Sequence, residues 1–100
     1  MPRIILSDSA NRDFDEIWDY IAVENHSPGA ADLLIDEFDQ ILRLVLTQPT
    51  MGKAVDRLRL NTRRIVVKKC FLVFYEAVEE GIRVLRILHG AQLIRPEDLA

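Results

Sequence analysis

The stretch RIVVKKCFLVFYEAVEEGIRVLRILH, residues 64–89, decides the fold. Arg64–Lys68 is rich in β-branched residues, which favour strands. Cys70–Tyr75 is apolar throughout, as is typical of a strand covered on both faces. Glu79–Gly81 supplies a turn, and Ile82–Leu88 continues as a last strand. Consecutive strands joined by short turns predict an antiparallel sheet.

Upstream of these strands, apolar residues recur at the spacing of two helices. The first helix follows possible N-caps at residues 7–9 and ends near Glu24–His26. The second begins at Ser27 and Pro28 and ends just before Pro49. Their apolar faces are Ala10, Phe14, Ile17, Trp18 and Ile21, then Ala31, Leu34, Phe38, Ile41, Leu42 and Val45. The short gap between the helices predicts an antiparallel hairpin over residues 8–48.

The remaining segments complete an α+β fold with the element order β-α-α-β-β-β. Arg3–Leu6 is a short first strand, and residues 49–61 are a loop. We expect the helical hairpin to pack on a small antiparallel sheet, with Trp18 and Phe38 at the centre of that contact. Arg95–Leu99 is expected to form one turn, in a tail from Gln92 that contributes little to the core.

Composition fits a single domain spanning residues 1–100. Of these residues 49% are hydrophobic, enough for a core, and no run approaches the length of a membrane span. The first apolar run is too short for a signal peptide core. Cys70 is the only cysteine, so we expect a buried structural thiol and a cytoplasmic protein.

The net charge of −3 hides an asymmetry between the two halves of the chain. Residues 1–56 carry eleven Asp and Glu against four Lys and Arg, whereas residues 57–100 carry nine basic and five acidic residues. The densest basic stretch comprises Arg57, Arg59, Arg63, Arg64, Lys68 and Lys69. Such a stretch fits an acidic partner, either a protein tail or a nucleic acid backbone, and it equally fits a solvated edge of a sheet.

No known catalytic or metal-binding motif emerges from the sequence. His26 and His89 lack partners at metal-ligand spacing, and the carboxylates of the first helix lie mostly on its polar face. We therefore expect no metal, no cofactor and no catalytic residue. Arg86 interrupts the apolar pattern of the last strand, His89 ends that strand, and Tyr75 closes the central one. Each either bonds within the fold or binds a partner, and Arg86 could pair with an acid of the first helix.

Several motifs resemble those of ParE-like toxins, which belong to the RelE/ParE superfamily. The first helix carries Ala10, Asp13, Ile17, Trp18, Asp19, Tyr20 and Ile21, which look like the family's opening motif. Pro49 and Gly52 are similar to its middle, and residues 72–75 and 82–91 resemble its C-terminal strands. The resemblance spans nearly the whole chain, and the combination of opening and ending motifs is specific.

The resemblance implies a toxin of a type II toxin–antitoxin system, neutralised by a ParD-like antitoxin. ParE-type toxins inhibit DNA gyrase by protein–protein binding, whereas RelE-type toxins of the same fold cleave messenger RNA on the ribosome. RelE-type enzymes place arginines at the positions of Leu72 and Gln92, and neither residue can stabilise charge as an arginine does. The resemblance therefore favours gyrase inhibition without enzymatic activity, with no membrane partner and no direct contact with nucleic acid.

Two positions depart from the ParE pattern. Gln92 stands where ParE-like sequences usually have arginine, and Phe71 stands where tyrosine is common. The departure at Gln92 leaves open a weakened toxin, a toxin with another target, or a decayed toxin that only binds its antitoxin. We expect the partner-binding residues to be the basic stretch together with Tyr75, Arg86, His89 and Gln92.

Overall fold

The computed structural model describes residues 1–24, 26–89 and 95–99. Two helices, α1 (Asp8–Asp19) and α2 (Pro28–Thr47), lie on one side of a sheet. A π-helical turn, Tyr20–Glu24, extends α1, and a 3₁₀ turn, Pro96–Leu99, follows the last strand. The strands are β1 (Arg3–Leu6), β2 (Lys53–Ala54), β3 (Thr62–Val67), β4 (Phe71–Val78) and β5 (Gly81–His89).

The sheet confirms the predicted α+β class, with two differences in detail. Its strand order is β1-β5-β4-β3-β2, so α1 and α2 carry the chain from one edge strand to the other. The pairs β2–β3, β3–β4 and β4–β5 are antiparallel, but β1 pairs with β5 in parallel. The strand β2 lies inside the segment that was predicted to be a loop, where its two residues pair with Arg63 and Arg64.

The helix side of the sheet holds the larger part of the core. Phe38 of α2 is 1% exposed and meets Phe14 and Phe71 edge to face, at ring-centroid distances of 5.2 and 5.4 Å. The expectation that Trp18 would share this centre is wrong. The α1 helix turns Ala10 and Asp13 toward the sheet, which leaves Trp18 half-buried at the edge with its Nε1 donating to Asp32 at 3.2 Å.

A second, smaller cluster lies on the far face of the sheet, away from the helices. Phe74, Leu85 and Leu88 are buried there beneath Leu99, which is 1% exposed. Because Leu99 belongs to the 3₁₀ turn, the expectation that the tail contributes little to the core is wrong for residues 95–99. The predicted turn itself is confirmed.

The β3–β4 hairpin turns through Lys68 and Lys69, so β3 ends one residue earlier and β4 starts one residue later than the sequence pattern predicts. Both lysines have positive φ, 54° and 63°, and the N–H of Cys70 donates to the carbonyl of Val67 at 3.3 Å. Positive φ at both central residues is the geometry of a type I′ β-turn, and the pairing of Val67 with Phe71 leaves residues 68–70 in the hairpin loop. Cys70 therefore lies in the turn, half-buried against the helix-side core, and β4 starts at Phe71.

Candidate functional site

Arg86 of β5 and Asp13 of α1 form the most buried ion pair of the described residues. The Arg86 Nε and Nη2 donate to the two Asp13 oxygens at 2.8 and 3.2 Å, and the Asp13 side chain is 9% exposed. The Asp13 carboxylate also accepts from the backbone N–H of Ile87 at 2.9 Å. The sequence-based alternative in which Arg86 pairs with an acid of the first helix is thereby confirmed.

The pair forms where β5 extends beyond the end of its parallel neighbour, β1. The strand β1 covers β5 only from Gly81 to Val84, and a register shift between Phe74 and Tyr75 marks a bulge just beyond. Beyond that point, side chains of α1 and its N-cap bond to the backbone of β5. The Ser7 hydroxyl donates to the Leu85 carbonyl at 2.8 Å, and the Asp13 carboxylate accepts from the Ile87 N–H. Bulges turn side chains away from the regular alternation, and here Arg86 reaches the helix from within a strand.

Arg86 also joins α1 to the tail of the chain. Its Nη1 donates to the Asp98 carbonyl at 3.3 Å, so this residue of β5 contacts both α1 and the 3₁₀ turn. The pKa of Arg86 is raised above its ordinary value, chiefly by the hydrogen bond to Asp13, although burial opposes the rise. The guanidinium is therefore held charged and is committed to contacts inside the fold.

Tyr75 is wholly buried and holds the loop that follows α2. Its hydroxyl donates to the Pro49 carbonyl at 2.8 Å and accepts from the Gly52 N–H at 2.9 Å. A Cβ at Gly52 would lie 2.5 Å from that hydroxyl oxygen, so only glycine fits this approach. These two contacts account for the hydroxyl at the end of an otherwise apolar run.

The basic stretch does not form one continuous charged surface. Arg59 pairs with Glu76 at 3.2 Å, and Lys68 pairs with Glu37 at 3.3 Å. Arg63 donates to the carbonyls of Thr50 and Gly52 at 3.2 and 2.8 Å, which ties β3 to the loop before β2. Arg57, Arg64 and Lys69 form no ion pair with a described residue. Arg59, Arg63 and Lys68 thus contact other side chains or carbonyls of the fold, and the other half of the stretch forms no ion pair with a described residue.

His89 lies with Arg86 in a groove of about 450 Å³ between β5, α1 and the π-helical turn. Its ring meets Phe71 edge to face at 5.6 Å. Ile17 and Ile21 supply apolar walls, and Tyr20, which is 58% exposed, stands at the rim. The groove has the mixed apolar and polar lining that suits a partner's side chain. Gln92, the remaining predicted site residue, lies outside the described residues.

Two features of the structure were not predicted from the sequence. Asp13 was grouped with the solvated carboxylates, although its place three residues after Ala10 and four before Ile17 puts it on the apolar face of α1. The second feature is an aliphatic row across three strands of the far face, in which Val66 pairs with Leu72 and Leu72 pairs with Leu88. Strand alternation could have found the residues, but only the register aligns them.

The described residues were also searched for metal-binding clusters and for membrane-spanning helices. Across residues 1–24, 26–89 and 95–99, no three His, Cys, Asp or Glu side chains are grouped as ligands of a metal ion. Within the same residues, no helix combines the length and apolar character needed to cross a membrane.

Comparisons with known proteins identify a family for this chain and a solved structure with the same fold. A family model for the ParE toxin of type II toxin–antitoxin system, parDE, matches residues 4–94. Among solved structures, the chain is similar to a chromosomal ParDE TA system from P. aeruginosa, with a TM-score of 0.70 and 17% identity over 89% of this chain and 96% of that one. This likeness shows a shared fold.

A second solved structure is similar at a lower level. It is the solution structure of a conserved hypothetical protein from Helicobacter pylori, with a TM-score of 0.45 and 18% identity over 94% of this chain and 100% of that one. No curated protein matches the chain.

Proposed function

The chain belongs to the ParE toxin family of type II toxin–antitoxin systems, and we propose that it inhibits DNA gyrase by protein–protein binding until a ParD-like antitoxin neutralises it. The match of the family model over residues 4–94 carries the proposal, because it covers both helices and the strands β2 to β5. In this proposal the chain acts in the cytoplasm as a single domain, traps gyrase on cleaved DNA, and does no chemistry of its own.

The surface of the sheet supports binding over RNA cleavage. A RelE-like nuclease needs cationic side chains where charge develops at the scissile phosphate. Leu72, at one of the positions where such enzymes carry arginine, lies instead between Val66 and Leu88 in the aliphatic row. Tyr75 is fully buried, with its hydroxyl bonded to Pro49 and Gly52, so it is a poor candidate for proton transfer to RNA.

The proposed antitoxin contact uses the uncommitted part of the basic stretch. In this proposal Arg57, Arg64 and Lys69 contact an acidic segment that orders on binding, and the groove beside His89 accepts its apolar side chains. The other predicted contact residues would stabilise the conformation of this surface without touching the antitoxin. They are Arg59, Arg63, Lys68, Tyr75 and Arg86. Gln92 stays a proposed contact on sequence grounds.

Supercoiling by purified gyrase, with and without this chain, tests the target. We expect inhibition with accumulation of double-strand breaks, and recovery when the antitoxin is added. No inhibition at concentrations well above that of gyrase would refute the assignment. Gln92→Arg is the informative variant: if it restores inhibition that the natural chain lacks, the chain is a weakened toxin of the same target. Cleavage of messenger RNA on purified ribosomes would instead establish the RelE-like alternative.

A further inference from the structure

Arg64, which forms no ion pair with a described residue, lies beside the aliphatic row on the far face of the sheet. Arg64 and Val66 are two residues apart on β3, so their side chains share a face. Arg64 pairs directly with Phe74 of β4, which places it next to the row of Val66, Leu72 and Leu88. A charged group and an aliphatic surface therefore lie side by side on adjacent positions of one strand face.

The Arg64 side chain is incompletely satisfied within the fold. Its Nε is buried and has no hydrogen-bond partner among the described residues. On the other side, Arg64 pairs with Lys53 of β2, and neither cation forms an ion pair with a described residue. Like charges directly opposite each other on neighbouring strands are unfavourable, and buried donors ordinarily have partners. An incoming carboxylate at the guanidinium would offset the like charges of Arg64 and Lys53.

The aliphatic row is exposed at the end nearest to Arg64. Leu88 is 7% exposed beneath the cluster that includes Leu99, whereas Val66 is 46% exposed and Leu72 is half-buried. The 3₁₀ turn thus covers one end of the row and leaves the other end open. The open end offers an apolar contact within one side chain's reach of the unsatisfied guanidinium.

We propose that Arg64, Val66 and Leu72 form a docking surface for an acidic–aliphatic segment of the antitoxin. This inference rests on the proposed function and deepens it. A carboxylate of the segment accepts from Arg64 and offsets the charge of Lys53, while an aliphatic side chain on the same face of the segment packs on Val66 and Leu72. The chemistry is charge complementarity combined with the burial of an apolar edge.

The test is a titration of the purified antitoxin into the full chain and into variants of the surface. Arg64→Gln removes the charge, and Val66→Thr keeps the β-branched shape while adding a hydroxyl. Each should weaken affinity by about tenfold, and the double variant should depart from additivity because both residues contact one segment. Arg64→Gln should also lessen the dependence of affinity on salt.

Matched controls come from the same strands and loops. Arg83→Gln removes an exposed cation of β5 that lies outside the basic stretch, and Leu60→Thr changes a 73% exposed aliphatic residue away from the row. Both should leave affinity within about threefold of the unaltered chain. Thermal unfolding verifies that each variant folds. If Arg64→Gln does not fold, Arg64→Lys replaces it. This variant keeps the charge but lacks the planar guanidinium, so it should weaken binding through the lost hydrogen bonds and leave the dependence of affinity on salt unchanged.

The outcomes separate the two proposals. Tight binding of the antitoxin that is unchanged in the Arg64 and Val66 variants would overturn the docking surface and leave the toxin–antitoxin assignment standing. Equal weakening in the control variants would also overturn it, because the effect would then reflect general charge. Failure of the antitoxin to bind the unaltered chain would overturn both.

Discussion

Asp13 and Arg86 join α1 to β5 through a two-pronged ion pair with N–O distances of 2.8 and 3.2 Å. Removing one partner leaves the other as an uncompensated, largely buried charge, so Asp13→Ala should lower the free energy of unfolding by about 3–5 kcal/mol. The lost acceptor for Ile87 adds to the cost. Urea denaturation of the two proteins measures the difference.

The exposed pair of Asp39 and Arg43 provides the control. Its N–O distance is the same, 2.8 Å, but the two side chains are 53% and 73% exposed. Asp39→Ala should therefore cost about 0–1 kcal/mol. Equal losses for Asp13→Ala and Asp39→Ala would show that the buried pair contributes no more than a surface contact.

The coupling between Asp13 and Arg86 should not vary near neutral pH. The pKa of Arg86 is raised in the folded chain, so its stabilising effect is complete below the unfolded pKa and is lost only as pH rises through the folded one. A double-mutant cycle should give the same coupling energy from about pH 6 to about pH 9. A marked decline across that range would contradict the assignment of the stabilising charge to the guanidinium.

The Tyr75 hydroxyl should matter for stability because it holds a loop. Tyr75→Phe leaves the Pro49 carbonyl and the Gly52 N–H without their partner, and should cost about 1–3 kcal/mol. Faster amide hydrogen exchange at Gly52 would locate the effect. Tyr20→Phe, at a residue that is 58% exposed, should be nearly neutral. An unaffected Gly52 amide in Tyr75→Phe would mean that the hydroxyl does not hold the loop.

The elements that have a local signal could be predicted from the sequence alone. The helical periodicity of residues 10–45 and the apolar runs of β4 and β5 predict the hairpin on a sheet, which the structure confirms. Two errors had physical causes: the two-lysine turn lacks the Asn-Gly signal of a tight hairpin, and the apolar Leu99 stands alone in a polar tail. The parallel pairing of β1 with β5 depends on where α1 packs, which no local pattern records.

The candidate site was predictable only in part, because its contacts connect distant positions in the chain. An arginine that interrupts a strand calls for an acceptor, and that reasoning reached the pairing of Arg86 with an acid of α1. It did not select Asp13, although the spacing of that residue from Ala10 and Ile17 puts it on the apolar face of α1. The bulge that brings Arg86 to Asp13 has no local signal in the sequence. Similarly, charge alone groups Arg63 with Arg64, yet the register assigns Arg63 to loop carbonyls and leaves Arg64 Nε without a partner among the described residues.

Gly52 should tolerate no side chain. A Cβ there would lie 2.5 Å from the Tyr75 hydroxyl and 3.0 Å from the Arg64 carbonyl, so Gly52→Ala should lower the stability by about 1–3 kcal/mol. Gly29, in the first turn of α2, has open space around the position that a Cβ would take, so Gly29→Ala should raise the stability by up to about 1 kcal/mol. Thermal unfolding of both variants should show shifts of opposite sign, and shifts of the same sign would contradict the prediction.

The last prediction concerns the 3₁₀ turn, which covers part of the far face of the sheet. Leu99 is 1% exposed against Phe74, Leu85 and Leu88, so Leu99→Ala should cost about 2–5 kcal/mol in chemical denaturation. Truncation before Pro96 should cost at least as much, because it also removes the Asp98 carbonyl that accepts from Arg86. Glu97→Ala changes an exposed residue of the same turn and should be nearly neutral. A truncated chain with unaltered stability would mean that the turn does not pack on the sheet in solution. If the truncated chain is destabilised as expected, a loss of gyrase inhibition on truncation could result from unfolding and could not be assigned to a lost contact with gyrase. Glu97→Ala, which should leave the stability unchanged, then tests whether the turn contacts gyrase.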